Sequence, residues 1–438
     1  MRKIIFLKIA LLLNFSCLVF AENASIQIDL TRQIKGRVKV VIDEFQNFPD
    51  RKKDRRLASG GRKTIINDLA LTEMFEVLPS PARKNKDFLE PDRIDYTFWS
   101  NTGAQWVVRT QYWTDSKTGS TLFVFRLFDA VNKRFVVGKR YKAHRMLTHR
   151  MMHRFADEMV EQLTGKRGVA DTKIAYIVED KGDKEIYLID FDGNNRQKLT
   201  SDHSIALRPT WSPDGSRIVF TSYSKNNNNP NLVMMNINKK QRWSVLTLPG
   251  LNTAPAWSPD GGKIALVLSR DKNSEIYYLT RKRKLRRLTS HFNIDTSPAW
   301  SPDGKKIAFT SDRSGIASPQ IYIMDSVLGD KGHAKRITFD SSYNDNPSWS
   351  PDGEKIAYTS KVDSSFQIKI YNLKTRRAEV LTKGRGSREE PSWSPDGRFI
   401  IYRKRIVGGY ALFIKKLGGG LPRRLTAGHH PAWSPYLR

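Results

Sequence analysis

The chain has 438 residues, so at about 150 residues per domain its length predicts roughly three domain-sized units. Hydrophobic residues make up 39% and aromatic residues 11%, which is enough for a sizeable core and excludes wholesale disorder. The formal net charge of +31 favours an anionic partner, whether nucleic acid, membrane surface or acidic protein. The single cysteine excludes a disulfide framework and a cysteine-cluster metal site.

Residues 1–21 have the pattern of a cleaved secretory signal, with Arg2 and Lys3 before a short apolar run. The run is shorter than the roughly 20 residues that a membrane-spanning helix needs, although an uncleaved anchor stays an alternative. We expect cleavage between Ala21 and Glu22, which lowers the net charge to +28 and removes the cysteine. The mature protein is therefore expected outside the cytoplasm.

The second part of the chain contains an internal repeat. The motif Pro-x-Trp-Ser-Pro occurs six times at spacings of 40 to 49 residues, and the first five copies continue with Asp-Gly. The repeated tryptophans are Trp211, Trp257, Trp300, Trp349, Trp393 and Trp433. Short β-rich runs between turns of Pro, Asp and Gly give about four strands per repeat, as in a β-propeller blade. The Pro, Asp and Gly residues are expected to form the turn, and the tryptophans to pack between blades.

The ends of the repeat region predict how the ring closes. Three strands beginning at Lys173 have no tryptophan strand before them, and the last tryptophan segment, residues 431–435, has no strands after it. Together they complete a sixth blade whose innermost strand comes from the C-terminus. We therefore expect an all-β six-bladed propeller over residues 173–438, closed by the C-terminal strand so that no sheet edge is exposed. An open solenoid is the alternative.

Residues 22–165 lack the repeat and predict a separate α/β domain, joined to the propeller by a linker at 166–172. Its hydrophobic periodicity predicts a small mixed sheet with two or three helices. The expected strands are 37–45, 106–113, 122–128 and 134–141, and the expected helices are 63–78 and 146–163, the second capped by Gly165.

Motifs of catalysis and cofactor binding are missing from the sequence. It has no Gly-x-Ser-x-Gly elbow, phosphate loop, Gly-x-Gly-x-x-Gly or His-Glu-x-x-His, so we predict no catalytic site, no cofactor and no metal site. His149 and His153 lie four residues apart on a predicted helix, but without a third ligand of obvious spacing an exposed helix face is favoured. Residues 281–287 carry six cations, which suit a solvated outer turn or attraction to an anionic envelope surface. Export argues against nucleic acid as the partner.

An exported α/β domain followed by six such blades resembles the TolB family, the periplasmic propeller proteins of the bacterial Tol–Pal envelope system. The C-terminal residues 431–437 and the mature start at residues 26–29 are similar to those of the family. The resemblance implies a periplasmic, non-enzymatic adaptor that binds the peptidoglycan-associated lipoprotein Pal through the propeller mouth. It also implies binding of a TolA-like inner-membrane protein through the mature N-terminus. Such proteins serve outer-membrane integrity and invagination at cell division, and we expect a monomer.

Residues 22–35 form the candidate N-terminal partner-binding segment. Ile26, Ile28 and Leu30 alternate with polar residues, among them Asp29. Such a segment can add as a strand to a partner or dock on its own domain. A first strand of the α/β sheet is the alternative.

The propeller mouth is located by topology, because the loop before each Pro-x-Trp motif enters an innermost strand at the same end of the channel. These loops supply the candidate Pal-binding residues Arg208, Ala254, Thr296, Ser297, Asp345, Asn346, Glu389, Glu390 and His430. Three carboxylates among them predict a local acidic patch suited to a cationic partner loop or a metal ion in the channel. A solvated loop is the alternative for each residue. Two other functions stay open: binding of an anionic envelope polymer, and hydrolysis by an unfamiliar mechanism.

Overall fold

The computed structural model describes residues 36–49, 54–81, 94–223, 229–315 and 318–437. The predicted signal and its cleavage site at Ala21 and Glu22 lie outside the described residues, as does the segment 22–35 with Ile26, Ile28, Asp29 and Leu30. Within the described ranges, none of the helices combines the length and the apolar character needed to cross a bilayer.

The first part of the described chain is a mixed sheet with three α-helices. Its strands are β1 (Val38–Ile42), β2 (Gln46–Asn47), β3 (Phe75–Leu78), β4 (Trp106–Thr114), β5 (Ser120–Asp129) and β6 (Arg134–His144). Its helices are α1 (Arg55–Thr72), α2 (Tyr96–Asn101) and α3 (Thr148–Thr164), with a 3₁₀ turn at Arg145–Leu147. The strand order is β3-β1-β4-β5-β6, and β2 pairs with β4. Strand β1 is parallel to both neighbours, whereas β4, β5 and β6 are antiparallel.

Alternating side chains of the sheet enter two separate cores. Val40 packs with α1 and α3 on one face, whereas Val41 packs with Trp99 of α2 on the other. On the first face Phe125 of β5 stacks on Phe155 of α3 with ring centroids 4.3 Å apart. Both faces of this sheet are therefore covered, as expected for an α/β domain.

The helix predicted at 63–78 is wrong in its bounds, because α1 begins at Arg55 and ends at Thr72. The side chain of Asp54 accepts the N–H of Leu57 at 3.0 Å and so caps the start. Glu73 adopts a left-handed conformation and ends the helix. The apolar residues that follow form β3, which pairs parallel with β1, so pairing with a distant strand overrides their helical spacing.

The second predicted helix is confirmed, with Gly165 as a left-handed C-cap at φ +68°. The expectation that its histidine face is exposed is wrong. The His153 side chain is only 3% exposed, and its Nδ1 lies 2.7 Å from Asp68 Oδ2. Half-buried His149 places Nδ1 3.3 Å from the hydroxyl of Thr64. This face lies against α1, which carries Asp68 and Thr64, so helix packing buries it.

The second part of the described chain is a β-propeller. One sheet contains eight strands, of which the first seven are β7 (Lys173–Asp180), β8 (Asp183–Asp190), β9 (Gln197–Lys198), β10 (Ile205–Trp211), β11 (Arg217–Tyr223), β12 (Pro230–Asn236) and β13 (Arg242–Leu246). Two four-stranded sheets follow, formed by β14 (Asn252–Trp257), β15 (Lys263–Asp271), β16 (Asn273–Thr280) and β17 (Leu285–Arg287), and by β18 (Asp295–Trp300), β19 (Lys306–Ser311), β20 (Gln320–Asp325) and β21 (Lys335–Arg336). A 3₁₀ turn at Asp330–Gly332 precedes β21.

Two more four-stranded sheets complete the series. They are formed by β22 (Asn344–Trp349), β23 (Lys355–Val362), β24 (Ser365–Asn372) and β25 (Arg377–Val380), and by β26 (Arg388–Trp393), β27 (Phe399–Ile406), β28 (Gly409–Lys416) and β29 (Arg423–Ala427). The last strand, β30 (His429–Trp433), returns to the eight-stranded sheet and pairs antiparallel with β7. The pairing expected between the C-terminal segment and the strand that begins at Lys173 is thus present.

The repeated Ser-Pro-Asp-Gly sequence forms the turn that its residue types predict. In one copy Asp303 Oδ1 accepts the hydroxyl of Ser301 at 2.6 Å and the N–H of Lys305 at 3.0 Å. Gly304 has φ +71°, a conformation that side chains disfavour. The same two bonds to the aspartate recur in the other four copies. These residues therefore have a structural role.

The repeated tryptophans connect neighbouring sheets. Trp300 Nε1 donates to the carbonyl oxygen of Ala256 in the preceding sheet at 3.1 Å, and Trp349 and Trp393 repeat this bond. Trp211 Nε1 donates to the carbonyl oxygen of Ala432 in β30 at 3.0 Å. The interblade role predicted for the tryptophans is confirmed at Trp300, Trp349 and Trp393, whereas the bond of Trp211 lies within the eight-stranded sheet.

Candidate functional site

The inner strands of the propeller converge on one small cavity of about 140 Å³. It is lined by the six prolines of the repeat and by the residue that precedes each of them: Arg208, Ala254, Ser297, Asn346, Glu390 and His430. We call these six residues the mouth ring. All six belong to the predicted Pal-binding set, and they come together because each occupies the same position of its repeat.

Every residue of the mouth ring has a left-handed backbone conformation. The φ angles lie between +49° and +58°, although none of the six is glycine. The ladder to the next strand is irregular at the same point of each inner strand, as at a β-bulge. Such a conformation costs about 1–3 kcal/mol per residue and is found most often at functional sites. The mouth ring is therefore a strained feature that the surrounding sheets hold in place.

Two of the three acidic residues near the mouth, Glu389 and Glu390, lie beside a cation. Glu390 lies 2.6 Å from His430 Nδ1 and accepts the backbone N–H of His430 at 2.9 Å. Arg403 Nη1 lies 3.3 Å from Glu390, and Arg403 Nε donates to Glu389 at 2.7 Å. The expected acidic patch therefore carries its own counter-charges at these two glutamates.

The charge balance holds Glu390 in its ionised form. Burial alone would raise the pKa of Glu390, but the imidazole of His430 and the guanidinium of Arg403 lower it to about 2. The pKa of His429, which lies next to the mouth ring, is shifted in the direction opposite to that of a histidine paired with a carboxylate. Burial lowers the pKa of His429 to about 3, and the neighbouring His430 adds to this effect.

A second network of polar side chains connects opposite parts of the mouth. Arg208 Nη1 donates to Asn346 Oδ1 at 3.0 Å, although the two residues are 138 positions apart. Asn346 Nδ2 in turn donates to Asp345 at 2.8 Å. Asp345 also accepts the hydroxyls of Ser297 at 3.2 Å and of Thr310 at 2.8 Å. This network leaves the mouth polar and half-buried rather than strongly charged.

The remaining predicted residues lie one position before the mouth ring. Thr296, Asp345 and Glu389 each pair with the second strand of their own blade, opposite Thr310, Thr359 and Arg403. Arg403 was missed by the sequence reasoning. Arg403 lies directly across the β-ladder from Glu389, and this pairing of opposite charges is the feature that could have indicated it.

Comparison with known proteins matches both parts of the chain. Residues 160–437 match the TolB beta propeller domain, and residues 26–136 match the TolB amino-terminal domain. The chain is 31% identical over 341 residues to the protein TolB homolog of Chlorobium luteolum, covering 74% of each chain. TolB from Acinetobacter baumannii superposes with a TM-score of 0.76 at 27% identity, covering 91% of this chain and 97% of that one.

Some relatives match over a shorter length. The chain is 35% identical over 285 residues to the Tol-Pal system protein TolB of Desulfosudis oleivorans, covering 63% of this chain and 62% of that protein. It spans 38% of the relative from Geobacter sulfurreducens. The propeller family alone matches more than half of the chain, and the amino-terminal family matches the sheet before it. The chain therefore belongs to the TolB family.

Proposed function

We propose that the protein is a periplasmic, monomeric adaptor of the Tol–Pal system and catalyses no reaction. It binds Pal through the propeller mouth and a TolA-like inner-membrane protein through residues 22–35, after removal of residues 1–21. In this role it serves outer-membrane integrity and invagination during cell division. The names of its relatives as Tol-Pal system proteins support this assignment.

The proposed architecture is a six-bladed ring over residues 173–438, preceded by the α/β domain at 22–165 and a linker at 166–172. The eight-stranded sheet counts as two blades in this interpretation, since β10 joins β8 through a single parallel residue pair. One of these blades contains β30, β7, β8 and β9, and the C-terminal strand closes the ring. The hydrogen bond from Trp211 to Ala432 in β30 supports the closure.

The mouth ring is the observation that carries the proposed Pal site. Six strained, non-glycine residues around one cavity are costly to maintain, and such strain is typical of binding sites. Arg208 and Asn346 offer hydrogen-bonding groups there, and their side chains are only half-buried. A partner loop that enters the mouth can exchange the bond between them for bonds of its own.

Calorimetric titration of the mature protein with purified soluble Pal tests the mouth. Arg208→Ala combined with Asn346→Ala should weaken binding by about tenfold or more, because buried polar contacts at an interface centre dominate affinity. Arg283→Ala, on an exposed outer turn, is the matched control and should bind as the unaltered protein does. Equal affinity of the mouth variant and the control would contradict the assignment of Pal binding to the propeller mouth.

A pull-down with a TolA-like periplasmic domain tests the N-terminal segment. A chain lacking residues 22–35 should lose this partner while it keeps Pal binding. Retention of the TolA-like domain by the truncated chain would contradict the assignment, and loss of both partners would point to a folding defect.

Binding of an anionic envelope polymer is the second candidate, favoured by a groove of about 730 Å³ between two blades. Its lining includes the exposed ring of Trp243, the two aspartates Asp214 and Asp260, and four cations that outnumber them, Arg217, Lys263, Arg281 and Arg283. This binding should collapse as salt is raised, because screening shortens to about 8 Å at physiological ionic strength. Arg283→Ala should weaken it, whereas the mouth variant should not, so the two functions are separable.

A further inference from the structure

Three potential metal ligands meet where helix α3 approaches the propeller. His149 and His153 occupy one face of α3, and Asp192 lies in the turn after strand β8. Their ligand atoms lie within 4.8 Å of one another. The sequence separates Asp192 from the two histidines by about 40 residues, so the linear pattern did not reveal the cluster.

Both histidines are oriented by hydrogen bonds through Nδ1. Asp68 Oδ2 lies 2.7 Å from Nδ1 of His153, and the hydroxyl of Thr64 lies 3.3 Å from Nδ1 of His149. A carboxylate on the far nitrogen of an imidazole is the arrangement that orients zinc-binding histidines. It leaves Nε2 of each ring as the atom that can bind a metal.

His153 Nε2 is the second, independent sign of a ligand. The side chain is 97% buried as judged from its 3% exposure, and among the described residues Nε2 has no hydrogen-bond partner. The nearest carboxylate oxygen, on Asp190, is 3.8 Å away, which is too far for a hydrogen bond. A buried polar atom without a hydrogen-bond partner is costly, so either a metal ion or a proton paired with Asp190 must satisfy this nitrogen.

On the propeller side of the cluster, the Asp192 carboxylate is oriented by hydrogen bonds within its own turn. Its two carboxylate oxygens accept the backbone N–H of Asn194 at 2.9 Å and the side-chain amide at 2.7 Å. An ionised carboxylate has about four acceptor positions, so two bonds leave capacity for a cation. The turn therefore orients the carboxylate and leaves acceptor positions of its oxygens available for a cation.

From this geometry we infer that His149, His153 and Asp192 bind one divalent transition-metal ion of the Zn²⁺ class. Two imidazole nitrogens and one carboxylate are a donor set that suits Zn²⁺, with water or Asp190 in the fourth position. Tetrahedral bonds of about 2.1 Å place ligand atoms about 3.4 Å apart, so the cluster must contract by about an ångström to close on the ion. Rotation of the half-buried His149 side chain, together with a shift of the turn that carries Asp192, would supply that movement.

The ion would tie the α/β domain to the propeller. Its histidine ligands belong to α3, whereas Asp192 follows a propeller strand. The competing arrangement is a proton on His153 shared between the carboxylates of Asp68 and Asp190. Two cations lie near the proposed ion and would repel it: Arg423, which donates to the carbonyl oxygen of Phe191 at 2.7 Å, and Lys173, which pairs with Asp190.

Zinc binding to the tag-free mature protein, first stripped with a chelator, tests the inference. Calorimetry should give one Zn²⁺ per chain, thermal denaturation should show a higher Tm with Zn²⁺ than with Mg²⁺, and Co²⁺ should give the visible absorption of a four-coordinate site. His149→Gln and Asp192→Asn should each weaken binding by about tenfold or more, since even residues that only support ligands contribute that much. Asparagine keeps one acceptor oxygen for the backbone N–H of Asn194 and loses only the bond to the side-chain amide of this turn, so Asp192→Asn should fold normally.

Two control variants identify where the ion binds. His203→Gln removes an exposed histidine that faces one carboxylate, Asp183 at 3.0 Å, and should leave Zn²⁺ affinity unchanged. His430→Gln removes one of the adjacent histidines at the mouth and should also leave it unchanged. Absence of stoichiometric binding overturns the inference in favour of the shared proton. Binding that survives His149→Gln and Asp192→Asn but is lost in His430→Gln also overturns it.

Discussion

Ser434 and Lys173 hold each other by two reciprocal hydrogen bonds across 261 positions of sequence. The backbone N–H of Ser434 donates to the carbonyl oxygen of Lys173 at 2.8 Å, and the N–H of Lys173 donates to Ser434 Oγ at 3.0 Å. Beside them, Trp433 Nε1 donates to the hydroxyl of Thr172 at 2.9 Å. The end of the chain is thus fastened to the point where the propeller begins.

Deletion of residues 429–438 should lower the thermal stability of the whole propeller. Strand β7 would become an exposed edge, and the buried Trp433 side chain, whose removal alone costs about 3–5 kcal/mol, would be lost. We expect a lower Tm and concentration-dependent aggregation, measured by differential scanning calorimetry and light scattering.

The matched single variant of this closure is Ser434→Ala. It removes the acceptor of the Lys173 N–H and should cost about 1–3 kcal/mol in the free energy of unfolding. Ser244→Ala, on an exposed outer strand, is the control and should change stability little. Equal stability of the deletion and the full chain would show that β30 does not stabilise the ring.

Charge reversal at Glu390 should destabilise the fold rather than act on partner binding alone. The side chain is 10% exposed and is paired with His430 and Arg403, so a lysine there would place a second cation beside Arg403. Breaking a buried ion pair typically costs about 3–5 kcal/mol. Urea denaturation of Glu390→Lys should show the loss, whereas Asn346→Ala should unfold near the midpoint of the unaltered protein. A fully stable Glu390→Lys variant would contradict the buried pairing.

The junction between α3 and the propeller depends on Asp157. Its buried carboxylate accepts the backbone N–H of Ala170 at 2.6 Å and of Asp171 at 3.0 Å. Asp157→Ala would leave two buried donors without an acceptor, at about 1–3 kcal/mol each. We expect trypsin to cleave faster after Lys166 or Arg167, as measured by limited proteolysis with mass spectrometry.

The control for this junction is Glu161→Ala, one turn further along α3, where the side chain is exposed. It alters the charge of the same helix without touching the backbone of residues 166–172. Cleavage at equal rates in the two variants would mean that Asp157 does not hold the junction.

Features of the fold set by neighbouring residues could be predicted from the sequence. The Ser-Pro-Asp-Gly turn is one, because Asp303 bonds to Ser301 and Lys305 within a few residues. The mouth ring is another, since every member precedes the proline of its repeat. Strand β3 could not be predicted, because its apolar residues fit a helix until they pair with Val38–Ile42.

The charge partners of the candidate sites were hidden for the same reason. From the sequence Glu390 belongs to an acidic patch, whereas the structure places Arg403 of the neighbouring strand beside it. From the sequence His149 and His153 form an exposed pair, whereas the structure places Asp68 of α1 and Asp192 of the propeller beside them. Sequence spacing reports contacts along one element, whereas these contacts join elements that are distant in the chain.

His429 should make the protein less stable as the pH falls below about 6.5. Burial lowers its pKa in the folded state to about 3, whereas an exposed histidine in the unfolded chain has a pKa near 6.5. Between these values the unfolded chain binds a proton that the folded protein does not, so the unfolding free energy decreases as the pH falls, by at most about 1.4 kcal/mol per pH unit. Above pH 6.5 the residue is neutral in both states and contributes no pH dependence.

His429→Phe isolates this contribution, because phenylalanine fills a buried position without taking up a proton. Urea denaturation between pH 4 and 8 should show a flatter decline for the variant than for the unaltered protein. His203→Phe, at a side chain 68% exposed, controls for the loss of one imidazole. Since other groups of the protein also titrate in this range, the difference between the two curves, rather than either curve alone, measures the effect of His429. Parallel curves would mean that His429 accepts its proton in the folded state.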